Sequence, residues 1–256
     1  MKKCLFIILG CFVMLTGCKT NTESNTQTTV SENKTKSNAS YTKNDTVVSL
    51  LTNSYYFTGM DAPVVDFDPS TNTYVTIAKS KLDANKFNTV KNSDEWNNFV
   101  STFCKLADSS TGIAQDTDKT INIKVILVSS DEVPILETVN KDKIFDFFNT
   151  DDSQTLKVLL ESYICSNKLG VANISFDKGT NTYTANITKE GLNKDFASSP
   201  VWEQYAENTA KLQPLVENIT HAIDKDSNVI VQYIDSDNGD KLLTIENGAI
   251  TYNCKE

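Results

Sequence analysis

The sequence predicts an α+β fold of two tandem repeats, each a helix, a hairpin, a second helix and a three-stranded antiparallel meander. Three observations predict it. Phe67-Asp-Pro-Ser-Thr-Asn-Thr-Tyr74 returns as Phe176-Asp-Lys-Gly-Thr-Asn-Thr-Tyr183, an offset of 109 with six identities in eight positions. A colinear series follows at an offset of 106: Trp96 with Trp202, Ile123 with Val229, Val125 with Val231, Val139 with Ile245 and Ile144 with Ile250. Within each copy the apolar spacing then alternates between helical and strand periods in the same order. The repeats are assigned to residues 46–149 and 150–256, each long enough to bury a core of its own.

Each element reads twice. The first helix carries Val47, Leu50, Leu51 and Tyr55 in one copy and Leu156, Leu159, Leu160, Tyr163 and Ile164 in the other, the spacing of one helix face. Hairpin turns follow at Asp68-Pro69-Ser70 and Asp177-Lys178-Gly179, where Pro sets φ and Gly tolerates its positive values. Alternating apolar residues around Val65, Phe67, Tyr74 and Val75, and around Ile174, Phe176, Tyr183 and Ile187, supply the strands. The second helix opens at N-cap Ser93 in one copy and at Ser199-Pro200 in the other. Its apolar stripe runs Trp96, Phe99, Val100, Phe103, Leu106, with Trp202, Tyr205, Ala206, Leu212, Val216, Ile219 as counterpart; Pro214 should kink or divide the latter. Three strands close each copy: Ile121–Val128, Ile135–Val139 and Ile144–Phe148, then Val229–Ile234, Leu242–Ile245 and Ala249–Tyr252. Asn238-Gly239 and Asn247-Gly248 are the strongest hairpin turns. The expected sheets are antiparallel with helices laid on one face. That order resembles cystatin-like and nuclear-transport-factor-like folds, a likeness of topology that carries no function.

Ahead of the repeats stands a different kind of segment. Lys2 and Lys3 precede an apolar run from Leu5 to Leu15, and Leu15-Thr16-Gly17-Cys18 closes it. This stretch resembles the signal peptide and lipobox of bacterial lipoproteins. The resemblance implies removal of residues 1–17, lipidation of Cys18 and placement on the extracytoplasmic face of the cell membrane, held by the covalent lipid. A retained transmembrane helix would need about twenty apolar residues, and this run is about half that, interrupted by Gly10 and Cys11. Ile8-Leu9-Gly10-Cys11 has a similar pattern, but cleavage there would leave too short an apolar core. Residues 18–45, rich in Thr, Asn, Ser, Lys and Glu, read as a disordered tether that reaches at most about 90 Å. The whole plan is similar to tandem-repeat lipoproteins of Gram-positive bacteria that have no assigned activity.

Composition narrows the chemistry. Without residues 1–17 the formal charge falls from −9 to −11, which disfavours nucleic acid and anionic lipid headgroups as partners. All 24 basic residues are Lys, so forked recognition of phosphate or carboxylate by Arg is absent. His221 is the only histidine and falls near a helix end, which leaves Ser-His-Asp, Cys-His and multi-His zinc arrangements very difficult to assemble. No P-loop or Rossmann glycine pattern is present.

Cys104, Cys165 and Cys254 remain beside the lipidated Cys18. Cys104 lies on or beside an apolar helix face, and a Cys165–Cys254 bridge is left open. Asp224, Asp226 and Asn228 have the first three ligand positions of a calcium loop, but Val229 stands where the sharp turn requires Gly and Asp235 replaces the final Glu. Asp235-Ser-Asp237-Asn-Gly239-Asp240 fits an exposed hairpin without an ion. Trp96 and Trp202 fit core positions better than a sugar platform. The reading is therefore a lipid-anchored, non-catalytic binding module for an envelope protein or glycan, with no cofactor beyond the lipid. Its rivals are an envelope hydrolase with paired carboxylates and a calcium-dependent surface protein.

Overall fold

The computed structural model describes residues 43–56 and 60–255. The expected signal segment, Cys18 and the expected tether as far as residue 42 lie outside the described residues. The chain is α+β, with two five-stranded sheets, each preceded by a helix. The first half contains α1 (Lys43–Tyr56), β1 (Val64–Asp68), β2 (Thr73–Lys79), the short α2 (Ala84–Asn88), α3 (Asp94–Gln115), β3 (Asn122–Val128), β4 (Pro134–Val139) and β5 (Asp142–Asp146). A 3-10 turn at Phe147–Asn149 leads to the second half. There the order repeats as α4 (Asp152–Ser166), β6 (Val171–Asp177), β7 (Thr182–Thr188), the short α5 (Lys194–Ala197), α6 (Trp202–Ala210), α7 (Gln213–His221), β8 (Asn228–Ile234), β9 (Lys241–Glu246) and β10 (Ala249–Asn253). Helix α1 starts two residues before the expected end of the tether.

Local chemistry explains most boundaries. Ser93 caps α3 as expected, its hydroxyl accepting from the Trp96 N–H at 3.2 Å. Ser199 does not cap its counterpart: α6 begins at Trp202 after Val201, with no side-chain cap, and the Ser199 hydroxyl is buried without a partner. The proline that fixes φ at position 200 lies in a turn before the helix instead of in its first turn. Pro214 divides the long apolar stripe into α6 and α7, standing in the first turn of α7, where its missing N–H costs no helical bond. In the hairpins, Asn72 and Asn181 take the left-handed conformation at φ 50° and 49°, a position the sequence reading gave to Gly179. Asn tolerates that region better than other side chains. Asp68 and Asp177 brace these turns, accepting from Ser70 N and Thr71 Oγ1, and from Gly179 N and Thr180 Oγ1.

The sheets run β1-β2-β3-β4-β5 and β10-β9-β8-β7-β6, with all neighbours antiparallel except β2–β3 and β7–β8. Those two pairs are parallel, which corrects the expectation of purely antiparallel sheets. The physical reason is the connection: a helical crossover returns the chain to the end of the sheet from which β2 or β7 set out. Register also shifts two of the sequence matches by one residue. Thr138 lies opposite Val125 as Ile245 lies opposite Val231, so Thr138 replaces Val139 as the counterpart of Ile245. Likewise Lys143 pairs with Thr138 as Ile250 pairs with Ile245, and Ile144 falls in a bulge.

Both halves place equivalent bonds at equivalent points. Ser130 N donates to Leu82 O and Ser236 N to Leu192 O, each at 2.9 Å. Asn122 N donates to Asn72 O and Asn228 N to Asn181 O. The ring pairs Phe67–Tyr74 and Phe176–Tyr183 have centroids 4.6 Å and 4.4 Å apart.

Three clusters form the interior. Val47, Leu51 and Tyr55 of α1 and Trp96, Phe99 and Phe103 of α3 pack on the inner face of the first sheet. Leu156, Leu160 and Ile164 of α4, with Trp202, Ala206 and Val216, pack on the inner face of the second. A third cluster joins the halves: Val75, Ile77, Ile126, Val128 and Phe145 on the outer face of the first sheet meet Val158 and Cys165 of α4 and Val171 of β6. Helix α4 is thus buried on two sides, and the layers run helices, sheet, helices, sheet. Helices therefore cover both faces of the first sheet, where one face was expected.

Candidate interaction surface

The structure disperses most residues that the sequence singles out. Asp224, Asp226 and Asn228 form the turn between α7 and β8. Asp224 Oδ1 accepts from Asn181 Nδ2 at 3.4 Å, its carbonyl accepts from the Ser227 hydroxyl at 2.7 Å, and Asn228 Nδ2 points to Thr180 O at 3.4 Å. Asp226 is exposed. These contacts tie the end of the crossover to the β6–β7 hairpin. The first half builds a similar turn from Asp118-Lys-Thr-Ile-Asn122, with Thr120 in place of Asp226. Among the described residues no group of three or more His, Cys, Asp or Glu side chains is arranged to hold a metal.

The acidic stretch after β8 is a loop that binds itself. Asp235 is buried, its Oδ1 accepting from Asp237 N and Asn238 N and its Oδ2 from Lys194 N at 2.9 Å. Asn193 reaches Asp237, and Lys194 pairs with Asp240. In the first half, Asp131 takes the Ala84 N–H at 2.9 Å in the same way, so the loop fastens a short helix in each unit. His221 ends α7 as expected, with Nε2 2.8 Å from Ser227 O; since a carbonyl only accepts, the hydrogen sits on Nε2.

Cys104, Cys165 and Cys254 are free thiols, so the bridge left open by the sequence is not formed. Burial pushes the Cys165 thiol up to about 12, which makes it inert between α4 and the first sheet. Trp96 and Trp202 are both core residues, at 2% and 0% exposure. Trp202 Nε1 donates to Asn253 Oδ1 at 2.8 Å, whereas Trp96 Nε1 finds no partner.

Sequence reasoning missed the charge cluster at the junction of the halves. Lys124 Nζ of β3 lies 3.2 Å from Glu137 Oε1 of β4 and 3.1 Å from Glu161 Oε2 of α4. All three side chains are largely buried. Burial acts to lower Lys124, but the two carboxylates outweigh it and hold the ammonium above its ordinary value. Burial pushes Glu161 up to about 7, against the opposing pull of Lys124 and with a further push from Glu137. Covered by α4, this pair of carboxylates offers no cleft to a glycan. Each residue alone reads as an ordinary charge on an exposed position; only the docking of α4 brings them together.

The outer face of the second sheet is the surface with no helix upon it among the described residues. Cross-strand register aligns Asn173, Asn186, Gln232, Thr244 and Tyr252 in one row over all five strands. The matching row of the first sheet is Val64, Ile77, Ile126, Glu137 and Phe145, the floor on which α4 rests. Apolar residues that receive a helix in one unit are therefore amides and hydroxyls in the other. Tyr252 is 45% exposed, and the Thr244 hydroxyl is buried without a partner beside it. The row carries no charge, although the protein as a whole is strongly acidic. Neighbouring side chains along such a row stand about 4.8 Å apart.

Comparison with known proteins finds no match among family models, curated proteins or solved structures.

Proposed function

We propose that the chain is a lipid-anchored, non-catalytic binding module of the cell envelope, built by tandem duplication and presenting the outer face of its second sheet to a partner. Each unit is a helix, a hairpin, a second helix and a three-stranded meander. The duplication reading is supported by equivalent hydrogen bonds at Leu82 and Leu192 and by the paired left-handed Asn72 and Asn181. Anchoring through Cys18 rests on the likeness of Leu15-Thr16-Gly17-Cys18 to a lipobox.

The observation that carries the binding reading is the uncharged row Asn173, Asn186, Gln232, Thr244, Tyr252. Solubility alone is served by Lys and Glu, which this chain has in quantity; uncharged donors and acceptors beside an exposed ring suit a partner rich in neutral hydrogen-bonding groups. An envelope glycan or an extended segment of an envelope protein meets that description. Crosslinking the full-length protein in native membranes tests it. Capture of an envelope component by the wild type, lost in an Asn186→Asp/Gln232→Glu variant with unchanged urea midpoint, is the expected result. Capture of neighbouring lipid alone, or equal capture by the variant, overturns it.

A further inference from the structure

We propose that the Lys124, Glu137 and Glu161 cluster makes the docking of the second unit on the first pH-dependent, tight in mildly acidic medium and weakened above neutrality. The argument begins with geometry. Helix α4 belongs to the second unit's core through Leu156, Leu160 and Ile164, and reaches the first unit through Val158 and Cys165. Glu161 lies between these two stripes, so its carboxylate enters the junction and meets Lys124 at 3.1 Å. Glu137 meets the same ammonium at 3.2 Å. One cation thus faces two carboxylates in a space largely closed to water, and the fully ionised cluster holds one negative charge in excess.

The neighbours do not cancel that excess. Asp66 of β1 and Asp142 of β5 share the cross-strand row of Lys124 and add negative charge at its two ends. From β6, the Ile174 N–H faces the Glu161 carboxylate, a dipole and not a charge. Along α4, Lys157 stands one turn back, half-buried, and acts on Asp151 at the helix start, while Cys165 stands one turn on as a neutral thiol. Lys168 and Lys189 act on Asp66 at the far margin. Protonating one carboxylate leaves a neutral cluster of one cation, one anion and one hydrogen-bond donor, which is the arrangement a buried junction tolerates best.

The sign follows from Glu161. Its folded value is near 7, above the ordinary carboxylate value, so the docked state holds a proton that the undocked or unfolded state releases. The contribution is complete below the ordinary value of 4.5 and is lost as pH rises through about 7. Between pH 8 and pH 5 the docking equilibrium should gain on the order of fifty- to a hundredfold. The lone histidine, His221, lies at the end of α7 and faces Ser227 and Glu217 instead of this cluster.

The test uses the full-length protein in mild detergent. Trp96 lies in the first unit's core and Trp202 in the second's, so Trp96→Phe and Trp202→Phe variants each leave one reporter. Urea unfolding followed by both should coincide at pH 5 and separate or shift to lower urea at pH 8. Glu161→Gln, which keeps the side chain neutral at every pH, should flatten that dependence and match the wild type at pH 5. A wild-type slope retained in Glu161→Gln, or a wild type more stable at pH 8, overturns the proposal. Should that variant fail to fold, carbon-13 detection of the side-chain carboxyls in the wild type decides: one Glu titrating between pH 6 and 8 is expected, and none doing so refutes it.

Discussion

At the scale of single residues, the most informative positions are those where a polar group lacks its usual surroundings. Lys124 holds two buried carboxylates, and Lys124→Met would leave both without a cation. Removing one member of a buried ionic group costs about 3–5 kcal/mol. Urea denaturation should show a loss of that order at pH 8 and a smaller one at pH 5, where Glu161 is protonated in the fold. The two serines before the second helices make a sharper contrast. Ser93→Ala deletes a cap and should cost about 1 kcal/mol, whereas Ser199→Ala deletes a hydroxyl that is buried without a partner and should be neutral or stabilising. Equal effects in the two variants would contradict the assigned helix starts. Gly170 joins α4 to β6 at φ 129°, and a Cβ there would meet Thr188 O at 2.5 Å. Gly170→Ala should lower the thermal midpoint of the second unit severely, because neither strain nor clash can be relieved without moving β7.

At the scale of elements, α4 decides the architecture. Its residues Leu156, Leu160 and Ile164 correspond to Val47, Leu51 and Tyr55 of α1, and both sets pack beneath their own sheets. The helices differ on the opposite side. Where α4 presents Val158 to the first sheet, α1 has the exposed Ser49 at the equivalent place. In the outer row of the second sheet, Asn186 and Gln232 likewise stand where the first sheet has Ile77 and Ile126. Both terminal faces of the stack are thus polar, as the ends of repeat arrays need to be. Val158→Asp places a charge in the inter-unit cluster while sparing the second unit's own core. Calorimetry should then resolve two transitions in place of one, and a single unchanged transition would show that the third cluster contributes little to holding the halves together.

At the scale of the whole molecule, two units are joined by one shared helix, the third apolar cluster and the buried Asp68–Thr188 hydrogen bond at 2.9 Å. If Cys18 carries the lipid, Cys18→Ala should move the protein from the membrane to the soluble fraction with its circular dichroism spectrum unchanged. Persistence in the membrane would reject the lipobox reading and leave the folded units unaffected.

The sequence by itself determined what depends on near neighbours along the chain. The α+β class, the doubled order of elements, the Ser93 cap, the break at Pro214 and the burial of both tryptophans all follow from period, capping and turn chemistry, which act over a few residues. Tertiary structure decided what depends on residues far apart. The parallel pairing of β2 with β3 and β7 with β8 is set by which end of a sheet a long crossover reaches, a choice that alternation of apolar residues does not encode. The one-residue shift at Thr138 and Ile245 arises because bulges change register without changing hydropathy. The Lys124 cluster and the open amide row exist only because α4 lies on the outer face of the first sheet and no described helix lies on the outer face of the second. The equivalent row is a buried junction in the first sheet and an open, uncharged face in the second.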